Sequence, residues 1–190
     1  MNTLLRLTCL GLIILTIQGC SSIISATTSE PIESRKDKRT TGSLLDDQVI
    51  ETIALVNIDK ADPALAQAHV VVTSYNGVVL LAGQVQTEEH RQLAAKTVAK
   101  INRVRRVHNE LTLTGSTSML ARSNDAWITT KVKTKMLGSS DIEGTRIKVV
   151  TENGVVFLMG LMNKEEADRA SDLARKTAGV QKVVRIFEYI

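Results

Sequence analysis

Asn76-Gly77-Val78-Val79-Leu80-Leu81-Ala82-Gly83 returns, 77 residues later, as Asn153-Gly154-Val155-Val156-Phe157-Leu158-Met159-Gly160. Asn-Gly tolerates the positive φ that a type I′ turn needs, so each copy reads as a hairpin turn followed by a strand. The match extends outward. Glu88-Glu89 recurs as Glu165-Glu166 at the same offset. With one-residue shifts, Ile50, Ala54 and Ile58 correspond to Ile128, Val132 and Met136, and Val104-x-x-Val107 corresponds to Val180-x-x-Val183. The chain therefore carries two related units, over residues 46–113 and 124–190, joined by a linker over 114–123.

Within each unit the periods run in one order. Apolar residues four apart (Ile128, Val132, Met136) make a helix stripe, and alternation at Val70 and Val72, or Ile147 and Val149, makes a strand. The turn and the second strand follow, and that strand is expected to end at Gly83 or Gly160, where a bare backbone permits a bend or a close approach. A Glu-rich start opens a second helix, with Asn163 and Glu166 spaced as a capping box. Val107 to Leu113, or Val183 to Ile190, forms the last strand. The fold class is α+β: two tandem αββαβ units, each a small three-stranded sheet with two helices on one face.

This order, together with the N-G-V-V-x-L-x-G stretch and the V-x-x-V entry to the last strand, resembles the BON domain. Two such units behind a lipidation motif resemble the dual-BON outer-membrane lipoproteins, most closely over Trp127-Ile128-Thr129-Thr130-Lys131-Val132 and Thr151 to Gly160. The resemblance implies a role in envelope integrity and at division sites, and binding of anionic phospholipid through the second unit. At the end of the second helix the BON pattern expects Gly. The second unit has Gly179 there, whereas the first has Ile101-Asn102-Arg103-Val104, so Asn102 is expected to take the left-handed conformation.

Residues 1–19 (MNTLLRLTCLGLIILTIQG) combine Arg6 with an apolar run too short to span a bilayer, which is the pattern of a signal peptide. Ile17-Gln18-Gly19-Cys20 resembles a lipobox, which implies cleavage before Cys20 and acylation of that residue. Ser21 after the cysteine points, by the same resemblance, to the outer membrane. Residues 20–45, rich in Ser and Thr with a charged centre, read as a flexible lipidated tether. Cys9 and Cys20 are the only cysteines, so a cleaved, acylated chain has no thiol pair for a disulfide.

Composition narrows the function further. Aromatic content is 3%, too low for base-stacking nucleic-acid readers. His69, His90 and His108 have no metal-ligand spacing, and the paired carboxylates Asp46-Asp47, Glu88-Glu89 and Glu165-Glu166 lie where helices begin and complement their dipoles. With no nucleophile elbow or phosphate loop, the chain reads as neither an enzyme nor a binder of a small-molecule substrate, cofactor or metal.

Charge is distributed more tellingly. The first unit has seven basic against eight acidic residues and the second eleven against nine. The excess is concentrated in Trp127 to Leu137 (WITTKVKTKML), which holds three lysines and no acid. Ile128, Val132 and Met136 take one face of that helix for the core. Trp127, Lys131, Thr134 and Lys135 form an adjacent stripe, with Leu137 at the helix end. Trp favours a headgroup interface and Lys snorkels to phosphate, so this stripe is what a helix lying on an anionic membrane presents. Two other readings remain at this stage: a core-capping Trp with solvated lysines, and a protein adaptor in which the Trp127 face or a sheet edge docks an envelope partner.

Overall fold

Thr40 caps the first helix: its hydroxyl accepts from the Ser43 amide at 3.1 Å. The computed structural model describes residues 40–115 and 118–190. In the first repeat the elements are α1 (Thr41–Ala61), a single turn α2 (Pro63–Ala66), β1 (His69–Tyr75), β2 (Val78–Val85), α3 (Glu88–Ala99) and β3 (Arg106–Leu113). In the second they are α4 (Met119–Leu137), a 3-10 turn at Gly144–Arg146, β4 (Lys148–Glu152), β5 (Val155–Met162), α5 (Lys164–Arg175) and β6 (Lys182–Tyr189). Both first helices start earlier than the periodic apolar residues indicate. Thr40 and Ser118 cap them, so α1 takes in residues 41–45 of the region read as tether, and α4 takes in 119–123 of the region read as linker. The signal peptide and Cys20 lie outside the described residues.

Each sheet has the order first, second, third strand, with an antiparallel hairpin and a parallel third strand. The parallel step requires a crossover, which α3 and α5 supply. Both hairpins turn through Asn-Gly with positive φ at each residue: 53° and 75° at Asn76 and Gly77, 49° and 73° at Asn153 and Gly154. The helices lie on one face of their sheet and close separate cores. One gathers Ile50, Ala54 and Ile58 of α1 with Val79, Leu81, Val85, Ala94 and Val98. The other gathers Ile128, Val132 and Met136 of α4 with Val156, Leu158, Met162, Ala170 and Ala174.

The opposite faces of the two sheets pack on each other. Tyr75, Val78, Leu80 and Ala82 of the first sheet and Phe157, Met159 and Ile186 of the second form a third apolar cluster. The layers therefore run helices, sheet, sheet, helices. The central strands explain their own sequence: every residue of β2 is buried, with odd and even positions serving different cores. Polar links tie the rim. Tyr75 donates to the Arg146 carbonyl at 2.9 Å, Lys148 pairs with Glu51 at 2.7 Å, His69 meets Glu152 at 3.3 Å, and Arg105 pairs with Glu188.

Four sequence expectations change. Gly83 and Gly160 do not end their strands; each lies two residues inside. The bare backbone is needed there for contact rather than for a bend. Arg103, and not Asn102, is left-handed (φ 69°), with its guanidinium paired to Asp46. The capping box at α5 is half formed. Asn163 accepts from the Glu166 amide at 2.8 Å, but the Glu166 carboxylate is drawn to Arg146 and to the Glu143 amide. Finally, Asp47 lies beyond the first turn of α1, where it is buried and bonded to the hairpin rather than serving the helix dipole.

His108 on β3 gives the fold a pH dependence. Burial, and then the neighbouring Arg106, lower its pKa, against a smaller opposing effect of Glu110. A depressed histidine pKa means that the unfolded chain takes up the proton more readily, so stability falls as pH drops through about 6.5 and stops falling below the folded value. His108→Gln is expected to flatten the fall in stability below about pH 6.5 in denaturant titrations. A slope identical to that of the parent chain would assign the titration elsewhere.

Candidate membrane-facing site

Three residues of α4 (Ile128, Val132 and Met136) are buried against the sheet, which leaves the neighbouring stripe to solvent. Trp127 is 61% exposed, so its ring does not cap the core. Lys133, Thr134 and Lys135 are exposed as well. Lys131 is more constrained than a free snorkelling side chain. Its Nζ donates to the Ala178 carbonyl at 2.6 Å and lies 5.9 Å from the centre of the Trp127 ring. The lysine thus holds one flank of the indole beside the loop after α5, where Gly179 at φ 97° brings the backbone against Ile128. An ammonium has three donors, and one is used.

Trp127, Lys131 and Thr134 share one side of the helix. Leu137, 62% exposed, ends it about 80° round from Trp127 at 100° per residue, and so borders the stripe rather than lying in it. Lys135 borders the other side and shares a shallow hollow with Arg169 and Lys176, beside Asp141 and Asp172. These two cations and the Ala178 carbonyl are parts of the site that sequence reading missed, because they come from the second helix and its exit loop. In the first repeat the positions equivalent to Trp127, Lys131 and Lys135 are Val49, Ile53 and Asn57, so the cationic pattern belongs to the second repeat alone.

Gly83 and Gly160 are remote from this surface. A Cβ on Gly83, at φ 115°, would stand 2.0 Å from the His69 carbonyl oxygen; one on Gly160 would stand 3.1 Å from that of Arg146 and 2.8 Å from the Met162 methyl. Among the described residues there is no cluster of three or more His, Cys, Asp or Glu that could hold a metal, and no helix long and apolar enough to cross a membrane.

Two αββαβ repeats, each with its Asn-Gly hairpin and parallel third strand, define the class: this chain belongs to the BON domain family, which matches residues 46–115 and 124–189. Its relatives are more particular. It is 36% identical to the outer membrane lipoprotein DolP of Haemophilus influenzae over 174 residues, 92% of this chain and 90% of that protein. It is also 36% identical to the 21 kDa hemolysin of Actinobacillus pleuropneumoniae over 81% of this chain and 79% of that one. Osmotically-inducible protein Y of Escherichia coli is 27% identical over 75% and 72%. The chain is a dual-BON lipoprotein of the outer-membrane type.

Proposed function

We propose that this chain is a non-enzymatic lipoprotein of the outer membrane, held by acyl chains on Cys20, whose second domain recognises anionic phospholipid and supports envelope integrity, with action at division sites. The carrying observation is the exposed Trp127, with Lys131 on its flank and Thr134 and Lys135 beside it, on a helix whose other apolar stripe is spent on the core. A lysine near an anionic surface contributes about 1 kcal/mol, so the stripe selects lipid while the acyl chains hold the protein in place.

Trp127→Ala removes the interfacial ring, and Lys131→Glu with Lys135→Glu reverses the field. Both variants are expected to bind anionic vesicles several-fold more weakly than the parent in co-sedimentation while melting normally. The lysine effect should fade at about 1 M salt, where the Debye length is near 3 Å. Glu51→Lys on α1, which breaks the pair with Lys148 but touches none of the α4 stripe, is expected to matter much less for binding. Parent-like binding by both α4 variants would move the lipid site elsewhere, and docking that persists in detergent regardless of anionic content would assign the Trp127 face to an envelope protein.

A further inference from the structure

A cationic hollow opens between α4 and α5, beside the Trp127 stripe. Lys135 stands two turns after Trp127, about 12 Å along α4, on the side of the helix that meets α5. Arg169 and Lys176 are also two turns apart and come from α5 and its end. The three side chains wall a hollow of about 430 Å³ over Ile142 and Leu173, and all three are exposed. The Arg169 Nε donates to the Asp141 carbonyl at 3.0 Å, which fixes the guanidinium and leaves four of its five N–H groups free. The ammonium groups of Lys135 and Lys176 have no hydrogen bond or ion pair among the described residues.

The carboxylates of the hollow do not neutralise these cations. Asp172 is paired with Arg175, and Asp141 accepts from the Ser140 hydroxyl at 3.2 Å. Three like charges drawn together from two helices repel one another, and a bound anion relieves that cost. A guanidinium fork with two ammonium groups beside it matches the oxygens of a phosphate. We infer that this hollow takes the phosphate of one phospholipid headgroup, held by Arg169 and Lys176 from α5 and by Lys135 from α4. The inference rests on the reading of the Trp127 stripe as lipid-facing, and it gives that surface a discrete subsite on a second helix. Position favours a lipid over a free anion. Solvent-exposed side chains hold a lone phosphate weakly, but the hollow adjoins an exposed indole, which prefers the headgroup level of a bilayer and so keeps headgroups at its mouth.

The test uses the full-length chain reconstituted in phosphatidylcholine vesicles, where its acyl chains hold it, and follows Trp127, the only tryptophan, as phosphatidylglycerol is added. Docking of α4 is expected to shift the indole emission to the blue. Lys176→Gln, which breaks no side-chain contact, should weaken docking about fivefold. Arg169→Lys keeps the charge but loses the fork, and should also weaken it several-fold, whereas a field merely summed over the surface would leave that variant unchanged. Lys60→Gln on α1 should dock as the parent does, and inorganic phosphate should compete no better than chloride at equal ionic strength. Melting curves of each variant separate a lost contact from a lost fold. The inference is overturned if Lys176→Gln and Arg169→Lys dock like the parent while Lys131→Glu does not, an outcome that leaves the stripe reading intact. It is equally overturned if inorganic phosphate displaces the protein beyond the chloride control, which would assign the hollow to a free anion. A parent chain whose Trp127 emission ignores phosphatidylglycerol would remove the stripe reading and the subsite with it.

Discussion

Gly83→Ala is expected to destabilise the first domain by about 3 kcal/mol or more, although it adds one methyl group. Two costs combine. The residue sits at φ 115°, a region that L side chains rarely adopt, and the added Cβ would stand 2.0 Å from the His69 carbonyl oxygen and 3.0 Å from its carbon. The obstacle is backbone of the paired strand β1, where Gly83 lies opposite Val70. No rotamer change relieves it, and shifting β1 disturbs the core contacts of Val72. Gly160→Ala provides the contrast. Its φ is not positive, and its closest neighbour is the mobile end of Met162. That methyl group can move, so alanine should cost much less there, whereas Gly160→Leu must also displace Phe187 and should cost about 2 kcal/mol or more. Denaturant midpoints of the three variants check the order; equal losses for the two alanines would refute the backbone argument.

Asp47→Ala and Asp125→Ala are expected to cost about 2 to 4 kcal/mol each, more than an exposed helix carboxylate could. Asp125 is buried on α4, and its two oxygens accept from the Asn153 and Gly154 amides, both at 2.8 Å. Asp47 repeats the arrangement on α1, with the Asn76 amide at 2.7 Å, the Gly77 amide at 2.9 Å and the Ser74 hydroxyl at 2.6 Å. In each repeat one carboxylate fastens the first helix to the hairpin turn. A left-handed Asn-Gly turn directs two successive amides to the same side, and a carboxylate is the acceptor that fits both. Removing it leaves buried donors unpaired. Asn at either position keeps one acceptor and should lose roughly half as much. The loss should appear in urea midpoints, and a midpoint within about 0.5 kcal/mol of the parent for Asp125→Ala would show that water replaces the carboxylate freely.

Both repeats thus share one mechanical plan and differ on the outer face of their first helix. Where the second places Trp127 and Lys131, the first places Val49 and Ile53. A duplicated unit can keep its core and its turn clamp while the outer faces of its two copies diverge in charge and polarity.

Much of this was legible in the chain itself. The 77-residue repeat, the Asn-Gly turns and the helix stripes required only local rules, because turn geometry and apolar period are properties of neighbouring residues. The stripe of Ile128, Val132 and Met136 favoured an exposed Trp127 but left a core-capping ring open, and folding decided between them by leaving the ring 61% exposed. The Asp47 and Asp125 clamps left a trace, a carboxylate three residues before Ile50 and Ile128 in both repeats, but its partner lies about 30 residues away in sequence and only folding brings them together. The apolar runs of β2 and β5 were legible only as second strands, and their burial on both faces came from folding. Tertiary structure decided that the two sheets cover each other, that Lys131 is held by the Ala178 carbonyl, and that Arg103 takes the left-handed turn opposite Asp46. Each depends on which distant surfaces meet, a choice made by the summed burial of both repeats rather than by any local stretch.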